Sequence, residues 1–315
     1  MWWTNLLLFS LAIGALVYSS IWIVRSLTKI AIFLKVSEFA IAFILMAFAT
    51  SLPELFVGIM SAVSGKVTLS LGNLIGANIA NITLVIGIPV LLAKGLRVES
   101  KVAQKDTFHM FLVMILPLLL MLDQVLSRLD GIILIGVFIL YLIKLWRSKE
   151  IFEKKADNVK FTQFFNNLVI FFLAFIVLIL SSRFVVKFAG NLAADSNLPI
   201  ILIGLLLVAV GTTLPELTFG IIAVLSKHKD MALGNILGSM VVNVTLILGL
   251  VSLISPINVG FTFALTSAFY MIIAAFLFLT FVHSERKVNW QEGIALILLY
   301  IFFVIMQFVM RGISA

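Results

Sequence analysis

Two short stretches concentrate the chemistry of this chain. Residues 49–54 read Ala-Thr-Ser-Leu-Pro-Glu and residues 211–216 read Gly-Thr-Thr-Leu-Pro-Glu. Glu54 and Glu216 therefore each follow a proline and a pair of hydroxyl or small side chains, deep inside apolar sequence. A carboxylate in such a place costs about 2.5–3.5 kcal/mol on membrane-insertion scales, so it is expected to have a partner or a purpose. Pro53 and Pro215 have no N–H and crowd the carbonyls of Ala49 and Gly211, which predicts kinked or unwound helix over 47–50 and 209–212. Carbonyl oxygens freed in this way are tolerated where they line a cavity, not where they face lipid. Thr50, Ser51, Thr212 and Thr213 place hydroxyls beside the same breaks.

A second pair of matched segments follows each glutamate. Gly72-Asn73-Leu74-Ile75-Gly76-Ala77 corresponds to Gly234-Asn235-Ile236-Leu237-Gly238-Ser239. Asn73, Ala77 and Asn81 share one helical face by their spacing, and Asn235, Ser239 and Asn243 repeat it. Gly72/Gly76 and Gly234/Gly238 have the small-xxx-small spacing that lets helices approach closely. Together these residues supply carboxylates, carbonyls, hydroxyls and amides, all hard oxygen donors. The chain has no cysteine, and His109, His228 and His283 fall near expected helix ends. Such a donor set suits a hard cation. Ca²⁺, which takes six to eight oxygens in flexible geometry, fits better than Mg²⁺, which keeps its waters and demands octahedral order. Two glutamates neutralise one Ca²⁺.

The matched residues keep a constant offset of 162, which also relates Ala47 to Ala209, Thr83 to Thr245 and Gly87 to Gly249. Polar residues held in register across a turn mark an internal duplication. The elements that must position them follow from composition. Of 315 residues, 63% are hydrophobic and 11% charged, against about 25% charged in soluble domains. Soluble enzymes, disordered chains and nucleic-acid binders are excluded, and the net charge of +8 is attributed to membrane orientation. Membrane spans of about 20 apolar residues are expected at 5–24, 30–63, 67–93, 107–122, 127–146, 164–188, 197–226, 231–255, 262–282 and 291–310. Without alternating strand patterns, a β-barrel is unsupported. The expected fold is an all-α polytopic membrane protein of ten transmembrane helices.

The hydrophilic stretch from Arg147 to Lys160 separates two halves of five spans, 1–146 and 164–315, as a cytoplasmic linker over 147–163. Five is an odd number, so the halves enter the membrane from opposite sides, as the inverted repeats of secondary transporters do. The Met1–Thr4 start has no basic region or cleavage site, so the first segment is expected to stay as a helix. Basic residues divide unevenly between the two sides. Arg25, Lys29, Lys94, Arg97 and most others fall on one side, and Lys66, Arg128, Arg183, Lys187 and Arg311 on the other. Lys35 lies within an expected span. The crowded side is expected to be cytoplasmic, with both termini outside the cell membrane.

At these motifs the chain resembles the cation/calcium exchanger superfamily, and within it the sodium/calcium exchanger type. The resemblance rests on Thr50-Ser51-Leu52-Pro53-Glu54, on Gly72 to Asn78, and on their counterparts at 211–216 and 234–239. It implies antiport of Ca²⁺ against a monovalent cation, with Glu54 and Glu216 as shared ligands and no bound cofactor. It further implies that Ala47, Thr50, Ala209 and Thr212 offer backbone carbonyls. Thr50, Ser51, Thr212, Thr213, Asn81, Ser239 and Asn243 then act through their side chains, as ligands or as close support. The first and sixth spans would slide over a core of the other eight.

Three positions depart from the family pattern: Ala77 where serine is common, Asn243 where aspartate is common, and Met240 in the place that matches Asn78. A site with two carboxylates suits exchange of one Ca²⁺ for two protons as well as for three Na⁺, so both counter-ions stay open. A channel is the next alternative, with the glutamates as a selectivity ring. Channel rings usually come from oligomers, whereas here one duplicated chain supplies both acids and a monomer suffices. No nucleotide-binding Gly-x-x-x-x-Gly-Lys loop is present, and no nucleophile–base pair suggests an enzyme.

Overall fold

Long apolar runs satisfy their backbone within a membrane by forming helices, and helices dominate the described residues. The structure, a computed structural model, describes residues 2–33, 46–97, 101–147, 161–226, 229–259, 261–285 and 287–314. Helix α1 is Trp2–Phe33, and α2 comprises Ala47–Thr50 and Leu52–Val63. Next come α3 (Val67–Leu92), α4 (Lys101–Leu120) and α5 (Arg128–Arg147). The second half has α6 (Phe161–Ser196), α7 (Ile200–Leu225) and α8, made of Lys229–Val242, Asn243–Ile247 and Leu248–Ile254. Helices α9 (Thr266–Glu285) and α10 (Trp290–Ser314) complete the described residues. Each lies at an expected span. Among the described residues, seven helices are long and apolar enough to cross a membrane by length and composition. Lys35, His228 and the linker residues 148–160 lie outside the described residues.

The two helices that carry the Leu-Pro-Glu motif are both broken, but not where expected. Residues 47–50 and 209–212 are themselves helical, and the interruption falls one residue later, at Ser51 (φ −81°, ψ 4°) and Thr213 (φ −83°, ψ −2°). The prolines explain the shift. Pro53 and Pro215 become second residues of the helices Leu52–Val63 and Leu214–Leu225, where the N–H would have no intrahelical acceptor anyway. A wide turn of π geometry precedes the second break at Gly204–Val208, and others occupy Asn81–Val85 and Asn243–Ile247. In the last two, the hydroxyls of Thr83 and Thr245 bond the carbonyls of Ile79 and Val241 at 2.5 Å. Hydroxyls that take carbonyls four residues back bend helices in this way.

Contacts repeat with the sequence offset. Gly87 lies against Gly293 on α10, and Gly249 lies against Gly131 on α5, so a Cβ on Gly87 or Gly249 would stand 3.0 or 2.9 Å from the facing glycine's carbonyl oxygen. Four two-residue strands among the described residues, which the sequence did not suggest, lie between helices. β1 (Leu96–Arg97) pairs with β4 (Lys287–Val288), and β2 (Val125–Leu126) pairs with β3 (Ile257–Asn258). The offset of 162 carries β4 onto β2 and carries β1 to 258–259, one residue past β3, so the two pairs correspond with a one-residue slip.

The apolar interior has two parts. One large cluster joins α3, α4, α5, α8, α9, α10 and parts of α7. A separate cluster joins α1 and α6 to α2, with Leu69 of α3 and Ile203 and Val208 of α7. Within it α1 and α6 run antiparallel. Asn5 donates to Asp195 at 2.7 Å near one end, and Phe33 stacks on Phe164 with ring centroids 4.5 Å apart at the other.

Candidate functional site

The centre of the molecule is where α2, α3, α7 and α8 meet. Glycines bring the backbones of α3 and α7 together. A Cβ on Gly72 would lie 2.3 Å from the Ile201 carbonyl oxygen, one on Gly76 the same distance from that of Leu205, and one on Gly204 2.5 Å from that of Leu69. No larger residue fits at these points without separating the helices. This close approach carries the asparagine face of α3 to the break in α7, and α8 meets the break in α2.

Glu54 and Glu216 are the first-turn acids of the helices that follow the breaks, and both are fully buried. A carboxylate near a helix N-terminus is favoured by the helix dipole. The two carboxyl groups are close enough to repel one another. Each lies beside hydroxyls of the opposite half, Glu54 beside Thr212, and Glu216 beside Thr50 and Ser239. Those hydroxyls bond elsewhere. Thr212 Oγ1 donates to Asn73 Oδ1 at 3.1 Å, Thr50 Oγ1 to Asn235 Oδ1 at 3.3 Å, and Ser239 Oγ to the Ala47 carbonyl at 3.2 Å. All four carboxylate oxygens are left without a hydrogen bond. Buried polar atoms are rarely left so, and four unpartnered carboxyl oxygens are donors of the kind a hard cation takes.

The remaining expected residues divide into groups. Ala47 and Ala209 turn their carbonyls to the cluster, where each accepts from the threonine three residues on, at 3.4 and 3.3 Å. Ser239 adds its bond to Ala47, but Ala77, the equivalent residue, has no hydroxyl for Ala209. Asn243 Nδ2 donates to Asn78 Oδ1 at 3.1 Å. The equivalent bond, from Asn81 to residue 240, is missing because Met240 has no amide, and both polar atoms of Asn81 are buried without a partner. Ser51 Oγ is likewise buried and unpaired, while Thr213 Oγ1 bonds the Val210 carbonyl of its own helix at 3.2 Å. No contact ties the Ser51, Thr213 or Asn81 side chains to the glutamates.

Asn73, Asn235 and Asn78 entered the sequence reading only as members of a face or motif. In the structure they orient Thr212, Thr50 and Asn243. The signal was available, since Asn73 and Asn235 obey the same offset as the glutamates. No group of three or more His, Asp or Glu side chains occurs among the described residues, so any cation held here depends on two acids plus neutral oxygens.

Comparison with known proteins agrees with this arrangement. The family described as "Sodium/calcium exchanger protein" matches residues 4–147 and 166–309. The chain is 31% identical to a putative antiporter, CaxA, of Alkalimonas amylolytica, over 91% of this chain and 93% of that one. It is 27% identical to the sodium/calcium exchanger MaX1 of Methanosarcina acetivorans, over 96% and 98%. Among solved structures, the sodium–calcium exchanger NCX_Mj superposes with a TM-score of 0.69 at 28% identity, over 96% of this chain and 98% of that one. Duplicated motifs, an all-α membrane fold and matches over nearly the whole length converge, and the chain belongs to the sodium/calcium exchanger protein family.

Proposed function

We propose that this protein is a secondary antiporter that exchanges Ca²⁺ for Na⁺, with Glu54 and Glu216 gripping one Ca²⁺ between them. The observation that carries this reading is the pair of adjacent buried carboxylates with no hydrogen bond to either. Held alone they repel, and a divalent cation cancels both charges. The carbonyls of Ala47 and Ala209, with Thr50, Thr212 and Ser239, complete an oxygen shell of the size Ca²⁺ takes. Ser51, Thr213, Asn81 and Asn243 are assigned to Na⁺ coordination or to its support. The relatives named as exchangers support Ca²⁺ and Na⁺ as the transported ions. No enzyme activity and no resident cofactor belong to this reading.

Alternating access is assigned to the α1/α6 pair, whose separate apolar cluster supports movement as a unit. The halves 1–146 and 164–315 then form inverted repeats, ten helices cross the membrane, and 147–163 is a cytoplasmic linker. Both termini lie outside the cell membrane, and one chain is the working unit. A second reading, Ca²⁺/H⁺ exchange by the same glutamates, is favoured by a specific feature. Asn243 is neutral and tied to Asn78, and Ala77 lacks a hydroxyl, so the site has fewer oxygens to hold several Na⁺. Uptake of ⁴⁵Ca²⁺ into proteoliposomes separates the two. An imposed Na⁺ gradient is expected to drive uptake without a pH gradient. Uptake driven by the pH gradient alone would replace Na⁺ with H⁺.

A further inference from the structure

A crevice of about 260 Å³ opens between α1 and the part of α7 that begins at Pro215, the residue before Glu216. Its walls include Ile21 and Arg25 on α1 and Pro215, Thr218, Phe219 and Ile222 on α7. The volume is below the roughly 300–1,000 Å³ of sites that enclose a compact drug-sized ligand, and the lining is mostly apolar.

At the equivalent wall, between α6 and α2, an aromatic contact takes the place of the threonine. There Phe56 stands where Thr218 stands here, and its ring packs edge-on against Phe175 at 5.2 Å. Val57, the equivalent of Phe219, is fully buried, and Lys66 reaches across to the Val186 carbonyl of α6 at 3.4 Å. Thr218 is thus the smaller residue at this wall, and it leaves room of the kind that Phe56 takes up against Phe175 in the other half.

Depth in the membrane identifies what fits. Trp2 and Trp22 are 20 residues apart on one continuous helix, which at 1.5 Å per residue is about 30 Å, the thickness of the hydrocarbon layer. Tryptophans favour the two interfaces. Arg25 lies one turn beyond Trp22, with its guanidinium 5.7 Å from the Trp22 ring centroid, and it makes no ion pair among the described residues. The Arg25 guanidinium thus sits at headgroup level over the mouth of an apolar slot, on the side of the protein richest in Lys and Arg. Basic pockets between helices on that side recognise anionic headgroups, and Arg matches phosphate with two parallel N–H donors.

We propose that this crevice binds an anionic phospholipid, with its phosphate on Arg25 and one acyl chain in the slot beside Thr218. The site is independent of which ions are transported. The test is native mass spectrometry of the full chain, purified with matched-chain phosphatidylglycerol and phosphatidylcholine and then stripped with detergent. The unmodified protein is expected to retain one phosphatidylglycerol in preference to phosphatidylcholine, and glycerol 3-phosphate should not displace it. Arg25→Gln is expected to reduce that retention at least tenfold. Thr218→Phe, which copies Phe56 of the other half, and Thr218→Leu should both abolish it while the protein elutes as a single folded species. Equal retention of the two lipids, displacement by glycerol 3-phosphate, or retention unchanged in Arg25→Gln and in both Thr218 variants would overturn the assignment.

Discussion

Replacing Gly76 with alanine tests whether the ion site depends on the contact between α3 and α7. The added Cβ would stand 2.3 Å from the Leu205 carbonyl oxygen and 2.7 Å from the Ala209 Cβ. Ordinary contact begins near 3.4 Å, so the helices must part by about 1.1 Å. The obstructing atom is backbone and cannot rotate away. Overpacking of this kind costs about 1–3 kcal/mol, and helix propensity returns up to about 1 kcal/mol when glycine becomes alanine. The net loss is therefore about 0–2 kcal/mol of stability, and about 1–3 kcal/mol relative to a Gly→Ala change that meets no clash. The displaced segment carries Ala209, so Ca²⁺ binding should also weaken about tenfold, which corresponds to about 1.4 kcal/mol. Gly136→Ala and Gly14→Ala are the controls, because a Cβ at either meets nothing within 4 Å. The assays are thermal unfolding in detergent and Ca²⁺ titration by calorimetry. If Gly76→Ala melts with the controls and binds Ca²⁺ as tightly as they do, close α3–α7 packing is not what shapes the site.

Three other outcomes are expected. Asn243→Asp adds a third carboxylate, and Asn78 can turn its unpaired Nδ2 toward it; Na⁺ dependence of ⁴⁵Ca²⁺ flux should steepen, and an unchanged dependence would remove Asn243 from the coupling argument. Thr212→Ala removes the hydrogen bond to Asn73 and should cost about 1 kcal/mol in unfolding free energy. Thr50→Ala should cost more, because its hydroxyl contacts both Asn235 and Ser239; equal losses in the two variants would show that the extra contact contributes nothing.

Helix positions were legible because a lipid-facing helix must be apolar along its whole length, and that pattern survives in the sequence as long runs. The repeat was legible because polar residues in such runs are few, so a constant offset stands out. The position of the breaks was not. A proline marks the carbonyl it cannot serve, but the chain takes up the strain at the residue before the new helix, Ser51 or Thr213. The turns at Asn81–Val85 and Asn243–Ile247 were also hidden, since Thr83 and Thr245 look like any helical threonine until their hydroxyls claim a carbonyl. Within the site, the glutamates and threonines were readable, whereas the crossed pairing was not. Thr50 with Asn235 and Thr212 with Asn73 join residues more than 130 positions apart, and only the folded halves bring them together. The consequence of Met240 was half visible: the sequence showed a missing amide, and the structure shows which asparagine it leaves unpaired.

The most direct measurement is Ca²⁺ binding to the purified protein carrying Glu54→Gln, Glu216→Gln or both. Removing one member of a buried charge arrangement typically costs about 3–5 kcal/mol, so each single variant is expected to lose at least about a hundredfold in affinity. The double variant should lose little more, since two acids that share one ion act as a unit. Wild-type affinity in either single variant, in protein that remains folded, would contradict a shared site, and losses that simply add would mean each carboxylate binds on its own.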